Sequence, residues 1–259
     1  MGLDPVFHRR SIMNLVRMLT LVIAFAGAAH AAVLPWASSQ QLVLVITQDW
    51  DANTGVMQAF EREGRGWKGA SASQPVTVGR SGSAWGLGLH PAMNSGPTKR
   101  EGDGRSPAGV FPIGLAFGYA SSVPTALRYQ GMTASDYCID VAGSGDYNKI
   151  LDASVAGEAA VKGSTEPMRR DLHANGDQRY KLGFVIEHNA DGQPAGGSCI
   201  FAHLWKEPGE PTAGCTAMAE PAMRSLLGWL SADRRPVFVL LPRADYERLR
   251  REWDLPDAS

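Results

Sequence analysis

The sequence predicts a mainly β fold: an antiparallel β-sandwich or curled sheet with one or two packed helices. Three observations predict it. Four apolar runs have strand length and composition: QLVLVIT at 41–47, KLGFVIE at 181–187, SCIFAHLW at 198–205 and PVFVLL at 236–241. The 29 glycines and 16 prolines fit many turns better than long helices. No segment repeats a βαβ unit, which leaves a layered, mainly antiparallel architecture in a single domain over residues 32–259.

The elements follow in order. Residues 1–31 read as a signal peptide: Arg9, Arg10 and Arg17 form a basic flank, Leu19 to Ala29 is apolar but short for a bilayer, and Ala29-His30-Ala31 has the small-x-small cleavage pattern. Arg9-Arg10-Ser11 weakly matches a twin-arginine signal. No stable membrane span is expected after cleavage. Gln41–Thr47 is a buried strand, and the Asp49 to Gly55 turn leads to its hairpin partner, Val56–Glu63. Val76–Val78 is another short strand. From Gly79 to Gly118 glycine is dense, and loops with brief strands are expected. Residues 143–178 are polar and irregular apart from a helix near Asp152 to Val161. Pro221 opens a helix whose Met223, Leu226, Leu227 and Leu230 recur at helical spacing, so that face is core. A final strand at 236–241 and a helix from Asp245 to Trp253 end the chain.

Charge excludes some functions. The net charge is −1, so no basic footprint argues for nucleic acid. His90, His173 and His188 show no His-x-x-x-His spacing, so no zinc site is expected. Export to the periplasm or cell envelope changes how the cysteines are read. Three of them, Cys138, Cys199 and Cys215, leave one thiol over in an oxidising compartment.

The candidate chemistry lies in HLWKEPGEPTAGCTAM, residues 203–218. Strand alternation puts Cys199, Phe201, His203 and Trp205 on one face. The loop from Lys206 to Gly214 can fold back and bring Cys215 beside the imidazole. Gly214 permits a turn that most residues resist. A thiol that accepts acyl groups needs thiolate character, a proton shuttle for the leaving amine, and N–H donors for the oxyanion. Cys215, His203 and the Gly214-Cys215 turn can supply these.

Three segments in the right order resemble the L,D-transpeptidase catalytic domain family (YkuD type), in its exported bacterial branch. Lys99 to Phe111 (KREGDGRSPAGVF) is similar to the family's Thr-Pro-x-Gly-x-Phe segment. Gly197 to His203 (GSCIFAH) is similar to the strand that carries the catalytic histidine, and Thr212-Ala213-Gly214-Cys215 to the Ser-x-Gly-Cys nucleophile motif. The likeness runs from about residue 40 to residue 245. It departs from the usual pattern at Leu204, at Thr212-Ala213 and at Thr216 to Met218. The resemblance implies peptidoglycan stem peptides as substrate, a Cys215 thioester as intermediate, His203 as proton donor to the leaving D-amino acid, and the N–H groups of Gly214 and Cys215 as oxyanion donors. The mechanism it implies needs neither metal nor cofactor.

Beside it stand readings of single residues. Cys138 and Cys199 are best paired as a disulfide, which would stabilise the fold by about 4 kcal/mol through loop closure; Cys199 as the reacting thiol is the rival. Arg100 and Arg105 are candidate carboxylate binders. Trp205, Thr212 and Thr216 are candidate cleft residues. Asp103 reads as turn chemistry with Gly102 and Gly104, and Trp50, Trp67 and Trp85 as core or rim aromatics. Three functions compete: an acyltransferase, a hydrolase using the same thiol, and a cell-wall binding module with a dead site.

Overall fold

The computed structural model describes residues 1–2, 33–168 and 176–258. Residues 3–31 of the expected signal peptide, and His173, lie outside the described residues. Leu34–Ser259 pack as one unit.

Strands dominate, in the order β1 (Gln41–Thr47), β2 (Thr54–Glu63), β3 (Gly66–Gly69), β4 (Gln74–Thr77), β5 (Ser83–Trp85), β6 (Ser106–Gly118) and β7 (Tyr129–Gly131). Then come β8 (Asp136–Cys138), β9 (Ile150–Asp152), β10 (Glu166–Pro167), β11 (Leu182–Ile186), β12 (Phe201–Leu204), β13 (Thr216–Met218) and β14 (Val237–Pro242). The helices are α1 (Ala153–Ala156), α2 (Glu220–Trp229) and α3 (Arg243–Leu249).

The ladder runs β1-β14-β6-β11-β12-β13-β4-β2, and β1 also pairs with β2. That last pairing closes the sheet on itself, so the core is a β-barrel and not a plain sandwich. Closure removes the sheet edges that a sandwich must protect. Two pairs in the ring, β1–β14 and β12–β13, are parallel, and the rest are antiparallel. All seven residues of β1 are buried: β14 and β2 pair along its two edges, and α3 packs against the strand. A continuous apolar run is what a strand buried on both faces requires.

The 13-residue β6 is the main departure from the expected loops at 79–118. It pairs with β14 and β11, and at its two ends with β5 and β7. The helix expected over 152–161 shrinks to four residues, capped by Asp152, whose carboxylate accepts from Ser154 N–H. Pro221 sits in the first turn of α2, and Met223, Leu226, Leu227 and Leu230 enter the core as their spacing predicts. That face packs α2 against β11 and β12, bracing the strand that carries His203.

A second, three-stranded sheet, β10-β8-β9, is bound to the barrel by the Cys138–Cys199 disulfide, which closes a 61-residue loop. The expected pairing is therefore found. One detail differs: β12 begins at Phe201, and Cys199 lies ahead of it in left-handed backbone, φ +56°. Asn148 holds that conformation by accepting from the Cys199 N–H at 2.8 Å.

Candidate active site

His203 and Cys215 are brought together by adjacent parallel strands. Ala202 stands opposite Thr216 and His203 opposite Ala217, so Cys215, just before β13, is level with Phe201. Alternation puts the side chains of His203, Ala217 and Cys215 on one face. Strands lie roughly 4.8 Å apart and two residues advance roughly 6.6 Å, so the two Cα atoms are diagonal neighbours at roughly 8 Å, within reach of an imidazole. Both side chains border one hollow of about 310 Å³, together with Arg80, Glu166, Arg179 and Tyr180. A smaller hollow of about 160 Å³ adjoins Cys215 on the side of Lys99, Glu101 and Ser198.

The backbone around the cysteine is fixed by two hydroxyls. Ser106 Oγ and Thr212 Oγ1 both donate to the Cys215 carbonyl, at 3.0 and 2.6 Å. Ser106 Oγ in turn accepts from Gly79 N–H. The start of β6 is thus tied to the turn that carries Cys215, which gives the Ser106-Pro107 segment a concrete role. Gly214 has a different function from the one expected. Its backbone is not left-handed; a Cβ there would stand 3.1 Å from the Arg105 carbonyl, so the need is for space. Its N–H donates to Thr212 Oγ1 at 3.1 Å, which spends it inside the turn and not on an oxyanion.

The imidazole is oriented by its own strand. His203 Nδ1–H donates to the Leu204 carbonyl at 2.7 Å, which fixes the neutral tautomer with the lone pair on Nε2. Tyr180 stands edge-on to the ring at 5.3 Å, and its hydroxyl donates to Glu166. Arg179 is locked on Asp177 at 2.7 Å.

Burial decides the protonation states. It pushes the Cys215 thiol up to about 12, with the Glu166 charge acting in the same direction. Burial also pulls His203 down to about 4, and the Leu204 hydrogen bond only partly opposes it. Near neutral pH the pair is therefore a thiol and a neutral imidazole, not the thiolate expected from the sequence. The sulfur rests against backbone: it accepts from Phe201 N–H at 3.3 Å and donates to the Cys199 carbonyl at 3.4 Å. Among the described residues no hydrogen bond joins it to His203. Such a pair can ionise only when a substrate displaces those contacts and draws the proton to Nε2.

The other candidates divide. Thr212 borders the larger hollow and shapes its turn. Thr216 is buried beside Ala202 and borders neither hollow. Arg105 turns its guanidinium away, to the carbonyls of Trp50 and Ser83 and the carboxylate of Asp51. Arg100 lies outside both linings, with its N–H on Asp103. Asp103 also accepts from Arg105 N–H and Lys99, the turn role expected of it. Trp205 donates to Thr77 Oγ1 and stands outside both linings. Sequence reasoning missed Arg80, Glu166, Arg179 and Tyr180. The only signal was a charged, aromatic pair, Arg179-Tyr180, directly before the β11 apolar run.

Among the described residues, no group of three or more acidic, histidine or cysteine side chains could hold a metal, and no helix is long and apolar enough to cross a membrane. No family model matches the chain, and no curated protein does. Among solved structures, it is similar to Bd1075 of Bdellovibrio bacteriovorus, at 13% identity and a TM-score of 0.36. That likeness covers 83% of this chain and 54% of the other, so the chain spans about half the length of that structure.

Proposed function

We propose that this chain is an exported cysteine acyltransferase of the L,D-transpeptidase type, acting on peptidoglycan stem peptides. The observation that carries the reading is a free Cys215 and a His203 with an uncommitted Nε2 bordering one hollow. The disulfide fits an oxidising compartment.

In the proposed cycle the Cys215 proton passes to His203 Nε2 as sulfur attacks the carbonyl of an L-centre. The Cys215 N–H, whose peptide neighbour is held by Ser106 and Thr212, donates to the oxyanion. The C–N bond breaks, the imidazolium returns the proton to the departing amine, and a neutral thioester remains. An incoming amine then attacks, losing its proton to His203, and regenerates the thiol as the new amide forms. Water in place of the amine makes the reaction a hydrolysis.

The test is intact-protein mass spectrometry with a tetrapeptide stem. The wild type should gain the donor mass less the leaving residue, and Cys215→Ala should gain nothing. An adduct that persists on Cys215→Ala would sink the reading. A cross-linked dimer marks transfer; a shortened monomer alone marks hydrolysis.

A further inference from the structure

Four cations border the two hollows beside Cys215, and two are committed: Arg179 is held by Asp177 and Lys99 by Asp103. Arg80 and Lys206 are different: among the described residues no carboxylate pairs with either. Of these two, Arg80 borders both hollows, whereas Lys206 borders only the larger.

Its place is fixed at the backbone and along the arm. Arg80 N–H donates to the Thr212 carbonyl at 2.8 Å, next to the Gly79–Thr212 bridge, so its Cα moves with the nucleophile turn. The guanidinium lies across Gly104, where a Cβ would stand 3.2 Å from both Nε and Cζ. Gly104, at φ +70°, leaves the arm room to lie there.

The leaving group must depart on the side of the proton donor. His203 borders only the larger hollow, so the leaving residue occupies that one and the acyl part the smaller. We infer that Arg80 is the specificity residue of this site, a receptor for the free carboxylate of the leaving residue, so that the enzyme acts on the peptide bond one residue from a carboxyl terminus. An unpaired guanidinium offers two parallel N–H donors that match a carboxylate and not a carboxamide. The inference rests on the Cys215 acylation proposed above.

The experiment compares one acyl donor peptide carrying a C-terminal carboxylate with the same peptide as its C-terminal amide, on wild type, Arg80→Gln and Arg80→Lys. Wild type should favour the acid by about ten- to a hundredfold in kcat/KM, the range of a charged hydrogen bond. Arg80→Gln should bring the two substrates level by losing the acid alone, and Arg80→Lys should keep part of the preference. Equal losses on both substrates, or an undiminished preference in Arg80→Gln, would overturn the role of Arg80. If neither peptide leaves a thioester on wild-type Cys215, the acylation reading fails and this inference with it. Thermal melts check that all three proteins are folded; the arm is exposed, so they should coincide.

Discussion

Two histidines lie buried at opposite ends of the same sheet, and they carry opposite tautomers. His188 follows β11 and His203 sits in β12. Burial pulls both to about 4, so both are neutral at physiological pH. His188 Nδ1 accepts from Leu87 N–H at 3.1 Å, and its Nε2–H donates to the Gly196 carbonyl at 3.0 Å. Both nitrogens are spent on backbone, and the residue is a rivet between two loops. His203 spends one N–H on Leu204 and keeps the Nε2 lone pair for the hollow it shares with Cys215. The comparison teaches that a displaced pKa does not tell the proposed proton carrier from a structural imidazole. What separates the two is the nitrogen left over and the thiol beside it.

The largest expected effect breaks the comparison by substitution. His203→Gln should cost 10²- to 10⁴-fold in acyl-enzyme formation, the usual worth of a proton shuttle, with little change in fold. His188→Gln should do the reverse. It forfeits a buried acceptor and a buried donor, so the melting temperature should fall by several degrees, with about 1–3 kcal/mol lost per unpaired group. The acyl-enzyme rate per folded molecule should hold. Mass-spectrometric burst kinetics and thermal melts on both variants check this, and equal chemical losses would erase the distinction.

The next effect sharpens the claim that the resting pair is neutral. Iodoacetamide labelling of Cys215 should be slow at pH 7 and climb about tenfold per pH unit past pH 9, because burial holds the thiol near 12. His203→Gln should leave this profile almost unmoved, since no ion pair exists to lose. A labelling plateau reached below pH 8 in wild type, abolished by that substitution, would instead reveal a thiolate–imidazolium pair.

How much of this was legible in the sequence depends on how each part is held together. β1, β11, β14 and α2 were readable because burial on a regular period leaves a regular apolar signal. β6 was not. Its sequence, SPAGVFPIGLAFG, carries three glycines and two prolines, and partners on both sides sustain it more than its own propensity does. Barrel closure was likewise invisible, because the β1–β2 hairpin gives no hint that β1 also meets β14, nearly two hundred residues later. At the site, Cys215 and His203 stood out through residue type, strand alternation and the leftover cysteine. Arg105 illustrates the limit. Its charge was plain, but only the fold shows its guanidinium turned to Asp51 while Arg80, unremarked in the sequence, borders the hollow it shares with Cys215.

The smallest effect tests burial itself, the property the two histidines share. Their ordinary value is 6.5, and in the fold it is about 4 for His188, for His203 and also for His90. Between those values the unfolded chain binds protons that the folded chain refuses, so stability rises with pH across that window and is lost as pH falls through it. Cys215 acts at the other limb. The folded thiol keeps its proton to about 12 while the unfolded one loses it near 9.0, so stability declines again as pH rises beyond 9. The melting temperature should therefore be flat from about pH 6.5 to 9 and fall on both sides. Each histidine can account for about 3 kcal/mol of the acid limb. Replacing either His188 or His203 with Gln should flatten that limb by a comparable amount, whatever it does to the chemistry. A melting profile that keeps its full acid limb in His203→Gln would mean that this imidazole is solvated in the folded protein, and its likeness to His188 would end there.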